Sequence, residues 1–363
     1  METPRVIVDL DQVERNIRDM ADLAKRHGKR LRPMIKTHKS PEILAMQMAA
    51  GAVGIMAAKV GEVEALAPYG VRDAVLAYPI VGEEKIDRIK ALVDLGVKVT
   101  VSFDNAEHAT WLASRLQARG LVLPAMVIVD TGVRRIGVPA GSPAADLAVR
   151  IAGLAGLEFV GFGAHAGHSY GLNTAAAISQ CVRDEAAAMA ESKRLTEEAG
   201  VPVSVVAVGS TPTVPYEAEQ DIFTELRPGN YVFYDANQLA VGSATPERIA
   251  LRVVARIISR PEPGRCVIDA GSKALSSDRG AHSSGLVRGY GLIEGAPQAT
   301  LERLSEEVGV ITMPPETPWR VGDEVTIIPN HACATINGWD RVTAMRGGSV
   351  CYELSVAARG RYQ

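Results

Sequence analysis

Short apolar runs alternate with longer amphipathic stretches over the first two thirds of the chain. The stretch Asp11–His27 ends at Gly28 and Glu83–Leu95 ends at Gly96, as expected of helices with glycine C-caps. Between such helices we predict the strands Leu31–Ile35, Gly54–Ala57, Ala74–Ala77, Val97–Ser102, Pro124–Val129, Glu158–Phe162, Val203–Val208 and Phe223–Leu226. This alternation predicts an α/β fold with a TIM-type (β/α)8 barrel over residues 10–238.

The pattern changes after residue 238 to short β-prone runs separated by glycine and proline. These runs are Arg252–Ile258, Arg265–Asp269, Glu307–Thr312, Glu324–Pro329, Arg341–Arg346 and Ser349–Ser355. They predict a mostly antiparallel β domain over residues 239–363. The run Val6–Asp9, and with it residues 1–9, is assigned to the same domain because the barrel is complete without it.

Bulk composition narrows the class of protein. A chain of 363 residues is long enough for two domains, and 47% hydrophobic and 22% charged residues with a net charge of -3 exclude an obvious nucleic-acid partner. Neither a signal-peptide core nor a membrane-length apolar run is visible, so we expect no membrane partner and a cytoplasmic location. The widely spaced cysteines predict free thiols, one of them a metal ligand: Cys181, Cys266, Cys333 and Cys351.

Chemically reactive side chains follow the predicted barrel strands. Lys36 follows the first strand, Arg135 the fifth, His165 and His168 the sixth, and Gly209–Thr211 the seventh. Active sites of such barrels lie at the carboxyl ends of the strands, so these residues predict one site. A lysine desolvated there loses its proton more readily, and the neutral amine can form a Schiff base with an aldehyde cofactor.

A second candidate centre is the triplet His331-Ala332-Cys333. Residues two apart on an extended segment point to the same side, so the imidazole and the thiolate can reach one ion. We therefore predict His331 and Cys333 as metal ligands, with open positions for water or substrate. Thiolate favours zinc, whereas oxygen ligands would suit manganese or magnesium. The alternative is a histidine that merely lies near a buried thiol.

The chain resembles the pyridoxal-phosphate enzymes of the alanine racemase fold, and among them the D-threonine aldolase and D-serine dehydratase family. The segments that carry this resemblance are RPMIKTHKSPEI, GAVGIMAAKVGEVEAL, VDTGVRRIGV, GAHAGHSYG, VGSTPT, ELRPGNYVF, VIDAGSK and PNHACATIN. The resemblance spans nearly the whole chain. It implies pyridoxal 5'-phosphate as cofactor, a divalent metal (Zn, or Mn/Mg), and a homodimer that pairs head to tail.

The resemblance also implies roles for the cofactor-binding residues. Lys36 would hold the cofactor covalently, although a solvated lysine in a basic run is the alternative. The phosphate would be bound by Gly209, Ser210, Thr211, Gly229 and Asn230, although both stretches are also ordinary turns. Met34 stands where the family often has histidine, which changes the surroundings of the cofactor on that side.

Other residues acquire roles by the same resemblance. Arg135 is similar to an arginine beside the cofactor ring, whereas Arg134 is interpreted as a surface charge. His165 matches a side chain that packs on or beside the ring, and His168 matches the histidine base of the aldolases if a gap is allowed. Two histidines three residues apart also suit a structural or a metal-binding pair. Further pocket candidates, which could also be structural, are Tyr170, Asp269–Lys273 and His282, while Tyr290 and Trp339 are expected in the core.

Taken together, these residues predict a lyase acting on a small molecule, a D-3-hydroxy amino acid. We place D-threonine aldolase-type cleavage of the Cα–Cβ bond first because His168 could take the hydroxyl proton. The His-x-Cys pair instead favours a D-serine or D-3-hydroxyaspartate dehydratase that gives a keto acid and ammonia. A racemase needs acid–base groups on both faces of the cofactor and no metal, so the His331–Cys333 pair argues against it. A noncatalytic carrier of the cofactor consists of the barrel alone, so the predicted β domain argues against that alternative.

Overall fold

A computed structural model describes residues 1–280 and 285–363, so His282 lies outside the described residues. The strands are β1 Arg5–Asp9, β2 Arg30–Leu31, β3 Ile55–Ala57, β4 Asp73–Leu76, β5 Lys98–Phe103, β6 Leu123–Asp130, β7 Val138–Pro139, β8 Leu157–Gly163, β9 Val205–Val208, β10 Glu225–Leu226, β11 Leu251–Glu262, β12 Arg265–Ile268, β13 Gly291–Ile293, β14 Thr300–Leu304, β15 Gly309–Thr312, β16 Glu324–Pro329, β17 Arg341–Arg346 and β18 Ser349–Ser355. The helices are α1 Leu10–Arg26, α2 Pro41–Ala49, α3 Val60–Leu66, α4 Glu83–Asp94, α5 Ala106–Ala118, α6 Ser142–Ala152, α7 Ala175–Glu198, α8 Val214–Ala218, α9 Ala236–Ala240, α10 Ser272–Leu275 and α11 Ala332–Ile336. Short 3-10 helices occupy Ile35–Thr37, Ala67–Tyr69, Gly167–Gly171, Asn230–Val232 and Pro246–Arg248.

The first sheet is a closed parallel barrel. Its strand order is β2-β10-β9-β8-β6-β5-β4-β3, and the short strand β7 pairs with β6. The two ends of this order meet through a parallel bridge between Met34 and Met56 and a hydrogen bond from the Met56 amide to the Pro33 carbonyl at 2.9 Å. The predicted barrel class is therefore confirmed, and the carboxyl ends of all its strands surround one opening.

The prediction for the first barrel strand was wrong at its end. The ladder of β2 ends at Leu31, and Ile35–Thr37 forms a 3-10 helix instead of a strand. Pro33 has no amide proton, so one donor of the parallel ladder is missing there, although the Arg32 and Met34 amides still donate to the Leu226 and Pro228 carbonyls. Lys36 consequently lies in a tight turn at the barrel opening.

The second sheet is mostly antiparallel, as predicted. Its order is β14-β15-β12-β11-β1-β17-β18, and β16 pairs with β11 and β13. The N-terminal strand β1 lies here, antiparallel to β11 and parallel to β17. The sequence analysis missed β13 and β14, because glycine precedes the one and two charged residues interrupt the other.

Helix α1 shows how the sequence joins the two sheets. Asp9 ends β1 and caps α1, its side chain accepting a hydrogen bond from the Gln12 amide. Val13, Ile17 and Met20 follow at helical spacing and are all buried against the barrel core. The chain thus leaves the antiparallel sheet and enters the barrel without a linker.

Candidate active site

A cavity of about 180 Å³ lies at the carboxyl ends of the barrel strands. Its lining includes most of the residues predicted for the site, which are Lys36, Arg135, His165, Gly209, Ser210, Thr211, Gly229, Asn230, His331 and Cys333. Apolar side chains of the barrel interior form much of the remaining wall, and Tyr170 and Tyr78 also line it. The chemically suggestive residues of both sheets therefore meet in one place.

Lys36 lies half-buried in the 3-10 helix that follows β2. The amides of His38 and Lys39 both donate to the Ile35 carbonyl, at 3.1 and 2.9 Å, and so close the turn around Lys36. His38 is structural: burial lowers the pKa of its imidazole to about 4, and its Nε2 lies 3.1 Å from Gln47 Oε1. Lys36 lines the cavity, whereas His38 does not.

Two glycine-containing turns form one end of the cavity. At Gly209 a Cβ would lie 2.5 Å from the backbone of Arg227, and at Gly229 one would lie 2.9 Å from Thr37 Oγ1. Only glycine allows these backbones to approach so closely. Beside them, the hydroxyl of Thr211 is buried with no hydrogen-bond partner within the described chain. This end of the cavity is therefore polar and contains a hydroxyl whose hydrogen-bonding capacity is unused within the described chain.

The two histidines that follow β8 take different directions. His165 lines the cavity, and its Nδ1 lies 3.0 Å from the Gly209 carbonyl oxygen. His168 lies on the 3-10 helix Gly167–Gly171, and its Nε2 is 3.1 Å from Cys181 Sγ on α7. The His168 ring also packs beneath Gly132, where a Cβ would be only 2.9 Å from Cε1. His168 therefore supports the turn before Arg135 and is absent from the cavity lining.

Arg135 projects into the cavity from the loop after β6. Its guanidinium lies over the ring of Tyr78, 5.3 Å from the ring centre. Arg134, predicted as a surface charge, is exposed. The loop is anchored to α7, because the Thr131 hydroxyl donates a hydrogen bond to Glu185 Oε1 at 3.1 Å.

The segment 330–333 enters the cavity from the antiparallel sheet, and it is here called the metal segment because it contains the two predicted metal ligands, His331 and Cys333. His331 is still extended, but Cys333 already belongs to α11, so the two side chains do not share one face of a strand as the sequence analysis assumed. Both nevertheless line the cavity, and Thr37 Oγ1 lies 3.1 Å from Cys333 Sγ. His331 Nδ1 lies 2.6 Å from Asp278 Oδ2, which fixes the orientation of the imidazole.

The charges of this pair reinforce each other. Burial raises the pKa of the Cys333 thiol, but the charge and hydrogen bond of His331 together with Lys36 and Thr37 outweigh burial, and the net pKa is lowered. Burial lowers the pKa of His331, but Cys333 and Asp278 outweigh it and raise the pKa to about 10. Cys333 is thus biased toward thiolate, the form that binds metal ions. Within the described residues, no cluster of three or more histidine, cysteine or carboxylate side chains is arranged around a metal site.

Three residues near the cavity were missed by the sequence analysis. Asp278 is one of them. It lies 53 residues before His331, so no local sequence motif connects the two residues. Arg227 lines the cavity and is fully buried, with its guanidinium 2.6 Å from Glu225. The quoted segment ELRPGNYVF contained it, but only its glycine and asparagine were assigned. Asp269–Lys273, in contrast, lies outside the lining, and Tyr290 and Trp339 pack against the core as expected.

The third missed residue, Asp235, connects the two parts of the site. Its Oδ2 accepts hydrogen bonds from Asn230 Nδ2 at 2.5 Å and from the Ala332 amide at 2.9 Å. Burial raises its pKa, although these donors oppose that effect. One carboxylate therefore fixes the glycine turn at Gly229–Asn230 and the metal segment together.

Comparisons with known proteins agree with this architecture. The family model "Alanine racemase, N-terminal domain" matches residues 8–237, and "Putative serine dehydratase domain" matches residues 250–345. The chain is 31% identical to a 3-hydroxy-D-aspartate aldolase of Paracoccus denitrificans (strain Pd 1222), over 99% of this chain and 93% of that one. It is 32% identical to a D-threo-3-hydroxyaspartate dehydratase of Delftia sp. (strain HT23), over 92% of each chain. A solved D-threonine aldolase from Filomicrobium marinum superposes with a TM-score of 0.91 at 29% identity, covering 100% of this chain and 97% of that one.

A barrel of this kind joined to an antiparallel sheet is the fold of the alanine racemase-like proteins. Within that fold, the chain belongs to the family of D-threonine aldolase and D-serine dehydratase. In the part of the chain that the structure describes, no helix combines the length and apolar character needed to cross a bilayer.

Proposed function

We propose that the protein is a lyase that uses pyridoxal 5'-phosphate and a divalent metal ion to act on D-3-hydroxy amino acids. Residues 10–238 bind the cofactor, and residues 239–363 with 1–9 form the domain that supplies the metal ligands. The preferred reaction is β-elimination, in which the substrate loses water to give an enamine; this tautomerises to an imine, which water then hydrolyses to a keto acid and ammonia. The observation that carries this proposal is the meeting of Lys36 with the His331–Cys333 pair in one cavity.

The chemistry of the cavity fits the cofactor. The buried and unpartnered hydroxyl of Thr211, with Ser210 and the two close-packed glycines, forms an anion pocket that suits the phosphate. Lys36 provides the amine that would hold the aldehyde, and His165 and Arg135 provide a ring and a fixed positive charge at the wall. When bound, pyridoxal phosphate supplies an electron-poor ring that stabilises negative charge on the substrate Cα.

The His331–Cys333 pair fits a metal ion of borderline softness. An imidazole oriented by a carboxylate and a cysteine biased toward thiolate are the ligand types that zinc prefers. A related D-threo-3-hydroxyaspartate dehydratase with a cysteine replaced by alanine has been solved in a metal-free form. A divalent ion held by His331 and Cys333 would supply a Lewis acid able to polarise the substrate's β-hydroxyl group.

The residues of the chain divide the elimination between them. Lys36, as a free amine, takes the proton from Cα, because it is the cavity's one amine within the described residues. His331 and Cys333 are the residues that would hold the divalent ion, whose Lewis acidity would help the β-hydroxyl group to leave. Arg135 balances negative charge beside the ring, and the apolar wall excludes water from the reacting atoms.

Aldol cleavage is the second candidate, and the identity to a 3-hydroxy-D-aspartate aldolase favours it. This reaction needs a base at the β-hydroxyl rather than at Cα. The side chain predicted for that task, His168, contacts Cys181 and Gly132 instead of the cavity. For this reason we now place elimination first, reversing the order suggested by the sequence alone.

The deciding experiment incubates the purified protein, loaded with cofactor and zinc, with D-threonine, D-serine and D-threo-3-hydroxyaspartate. Keto acid and ammonia are the expected products. Glycine with an aldehyde would establish aldol cleavage instead, and racemised substrate would establish a racemase. No turnover of any of the three would contradict the proposed lyase. The homodimer and the cytoplasmic location stay predictions from the sequence.

A further inference from the structure

The turn that carries Lys36 is tied to the metal segment by a buried ion pair outside the cavity. Lys39 Nζ lies 3.3 Å from Glu62 Oε1, and the two side chains are only 6% and 3% exposed. Glu62 belongs to α3, where its other oxygen accepts from the Ala58 amide at 2.7 Å. A buried charge is tolerated only when it is paired and hydrogen-bonded, so Lys39 has a tightly defined position.

The third partner of Lys39 comes from the opposite side. Lys39 Nζ donates to Asn337 Oδ1 at 2.7 Å, and Asn337 directly follows α11, the helix that contains Cys333. The ammonium also lies 5.5 Å from the centre of the Tyr362 ring, and the Tyr362 hydroxyl contacts Asn337 Nδ2. We call Lys39, Glu62, Asn337 and Tyr362 the Lys39 cluster.

The backbone of Lys39 is also held in place by hydrogen bonds. Its carbonyl accepts from the Ala358 amide at 3.1 Å, and its amide donates to Ile35 at 2.9 Å. Its φ of 53° lies in the left-handed region, which costs a lysine free energy and persists only when the surroundings hold it there. Lys39 is therefore fixed by both backbone and side chain, three residues after Lys36.

These contacts form a short path between the two chemical centres. One end is the turn around Lys36, and the other is α11 with Cys333 in its first turn. Inside the cavity, a hydrogen bond between Thr37 Oγ1 and Cys333 Sγ joins the same two elements. The Lys39 cluster holds the elements together from the other side of that contact.

We propose that Lys39 is a positioning residue that, through Asn337, sets the distance of the metal pair His331 and Cys333 from Lys36. The proposal rests on the proposed function, because it assumes that the pair binds a metal ion. Lys39 itself touches neither cofactor nor substrate. Its loss should therefore weaken metal binding while the cofactor stays covalently attached.

The test compares zinc affinity and cofactor attachment in the same proteins, without substrate. Asn337→Ala removes the link to α11 but keeps the ion pair between Lys39 and Glu62 intact. We expect its zinc dissociation constant, measured by competition with a chromogenic chelator, to rise about tenfold or more, in the range typical for outer partners of a metal site. The visible absorbance of the bound cofactor should equal that of the wild type. Lys39→Met should show the same pattern more strongly.

Two control variants separate positioning from general stability. Asn337→Asp keeps the oxygen that accepts from Lys39 and should bind zinc nearly as the wild type does. Glu64 lies on the same helix α3 as Glu62 and forms a half-buried ion pair with Arg88 of α4, so Glu64→Gln removes a pair of this helix outside the Lys39 cluster and should leave zinc affinity unchanged. If Asn337→Asp and Asn337→Ala weaken zinc binding equally, the hydrogen bond to Lys39 is not the cause.

The remaining outcomes are also decisive. Zinc binding at wild-type strength in both Asn337→Ala and Lys39→Met overturns the inference, as does a loss that follows only a fall in the folded fraction. If Lys39→Met does not fold, Asn337→Ala still decides. Failure of the wild type to bind zinc overturns this inference together with the metal part of the proposed function. Wild-type binding with unaffected variants overturns the inference alone.

Discussion

The barrel opening and the metal segment supply the same cavity by different routes. The barrel contributes many side chains, each placed directly after a strand and held by its own turn, as Lys36 is in Ile35–Thr37. The antiparallel sheet contributes one segment of a few residues, held by long-range contacts to Asp235 and Asp278. Local order secures the first set, whereas distant carboxylates secure the second. Substitutions in the barrel opening and substitutions in the metal segment should therefore disrupt different functions of the site.

Replacing Lys36 gives the largest effect that we expect. Lys36→Ala should abolish the visible absorbance of covalently bound cofactor and reduce turnover by at least about a thousandfold, because it removes the residue proposed both to attach the cofactor and to act as the Cα base. Absorbance spectra and a steady-state assay measure the two effects. Retained absorbance would show that another amine holds the cofactor and would break the comparison on the barrel side.

Replacing Cys333 should affect the other set alone. Cys333→Ala should leave the visible absorbance unchanged but reduce turnover to the level of the metal-free protein, because it removes a proposed metal ligand itself rather than a residue that only positions one. Metal content after dialysis and rate with added zinc are the measurements. A metal-stimulated rate equal to that of the wild type would exclude Cys333 as a ligand.

Replacing Asp278 tests the distant carboxylate. Asp278→Asn should weaken zinc affinity about 10- to 100-fold, because the imidazole of His331 loses the acceptor that orients it. A titration with zinc alone measures the change. The matched control is Asp340→Asn, whose carboxylate is exposed and pairs with Arg359. Equal affinities in the two variants would show that Asp278 does not support the ligand.

The barrel side should also carry a dependence of stability on pH. Burial raises the pKa of Glu185 to about 7 and raises that of the neighbouring Glu217, so both are favoured as neutral acids in the fold. The Glu185 contribution to stability is thus fully present below pH 4.5 and is lost as the pH rises through about 7. Glu185→Gln stays neutral and should reduce that loss, by on the order of 1 to 3 kcal/mol.

Chemical denaturation at several pH values measures this effect. Groups that face the pair include Cys181 and, through Thr131, the loop before Arg135. Glu191→Gln serves as a control because Glu191 lies exposed on the same helix, paired with Arg194. A Glu185→Gln profile that parallels the wild type would show that Glu185 is already ionised in the fold.

The smallest effect is expected at His168. His168→Asn should keep turnover within roughly threefold of the wild type, because the ring supports the Gly132 turn and does not line the cavity. If His168 is the base of an aldol cleavage, the rate should instead fall about a hundredfold or more. That result would restore the order of reactions suggested by the sequence.

The barrel was predictable from the sequence because buried parallel strands are continuous apolar runs with little alternation. The segment Leu123–Asp130 is an example, and the predicted strand Pro124–Val129 lies within it. The predicted strand Leu31–Ile35 was too long because its apolar residues suggested a strand, although Pro33 lacks an amide proton for the ladder. Strands β13 and β14 were missed because charge and glycine hid their pattern.

The site was predictable as a set of residues but not as a geometry. Sequence order placed Lys36 and Gly209–Thr211 after their strands, and strand topology then brought them together. The direction of His168 depends on a 3-10 helix and on the space beneath Gly132, which no spacing rule reports. Asp278 acts across 53 positions from a polar stretch that lacks any periodicity.

The two hydrogen bonds of Asp235 have a thermodynamic consequence. One buried carboxylate binds Asn230, beside the proposed phosphate site, and the Ala332 amide, between the proposed metal ligands. Any ligand that orders one of these donors lowers the entropic cost of ordering the other. By linkage, cofactor and zinc should then enhance each other's affinity by one common factor, whichever binds first.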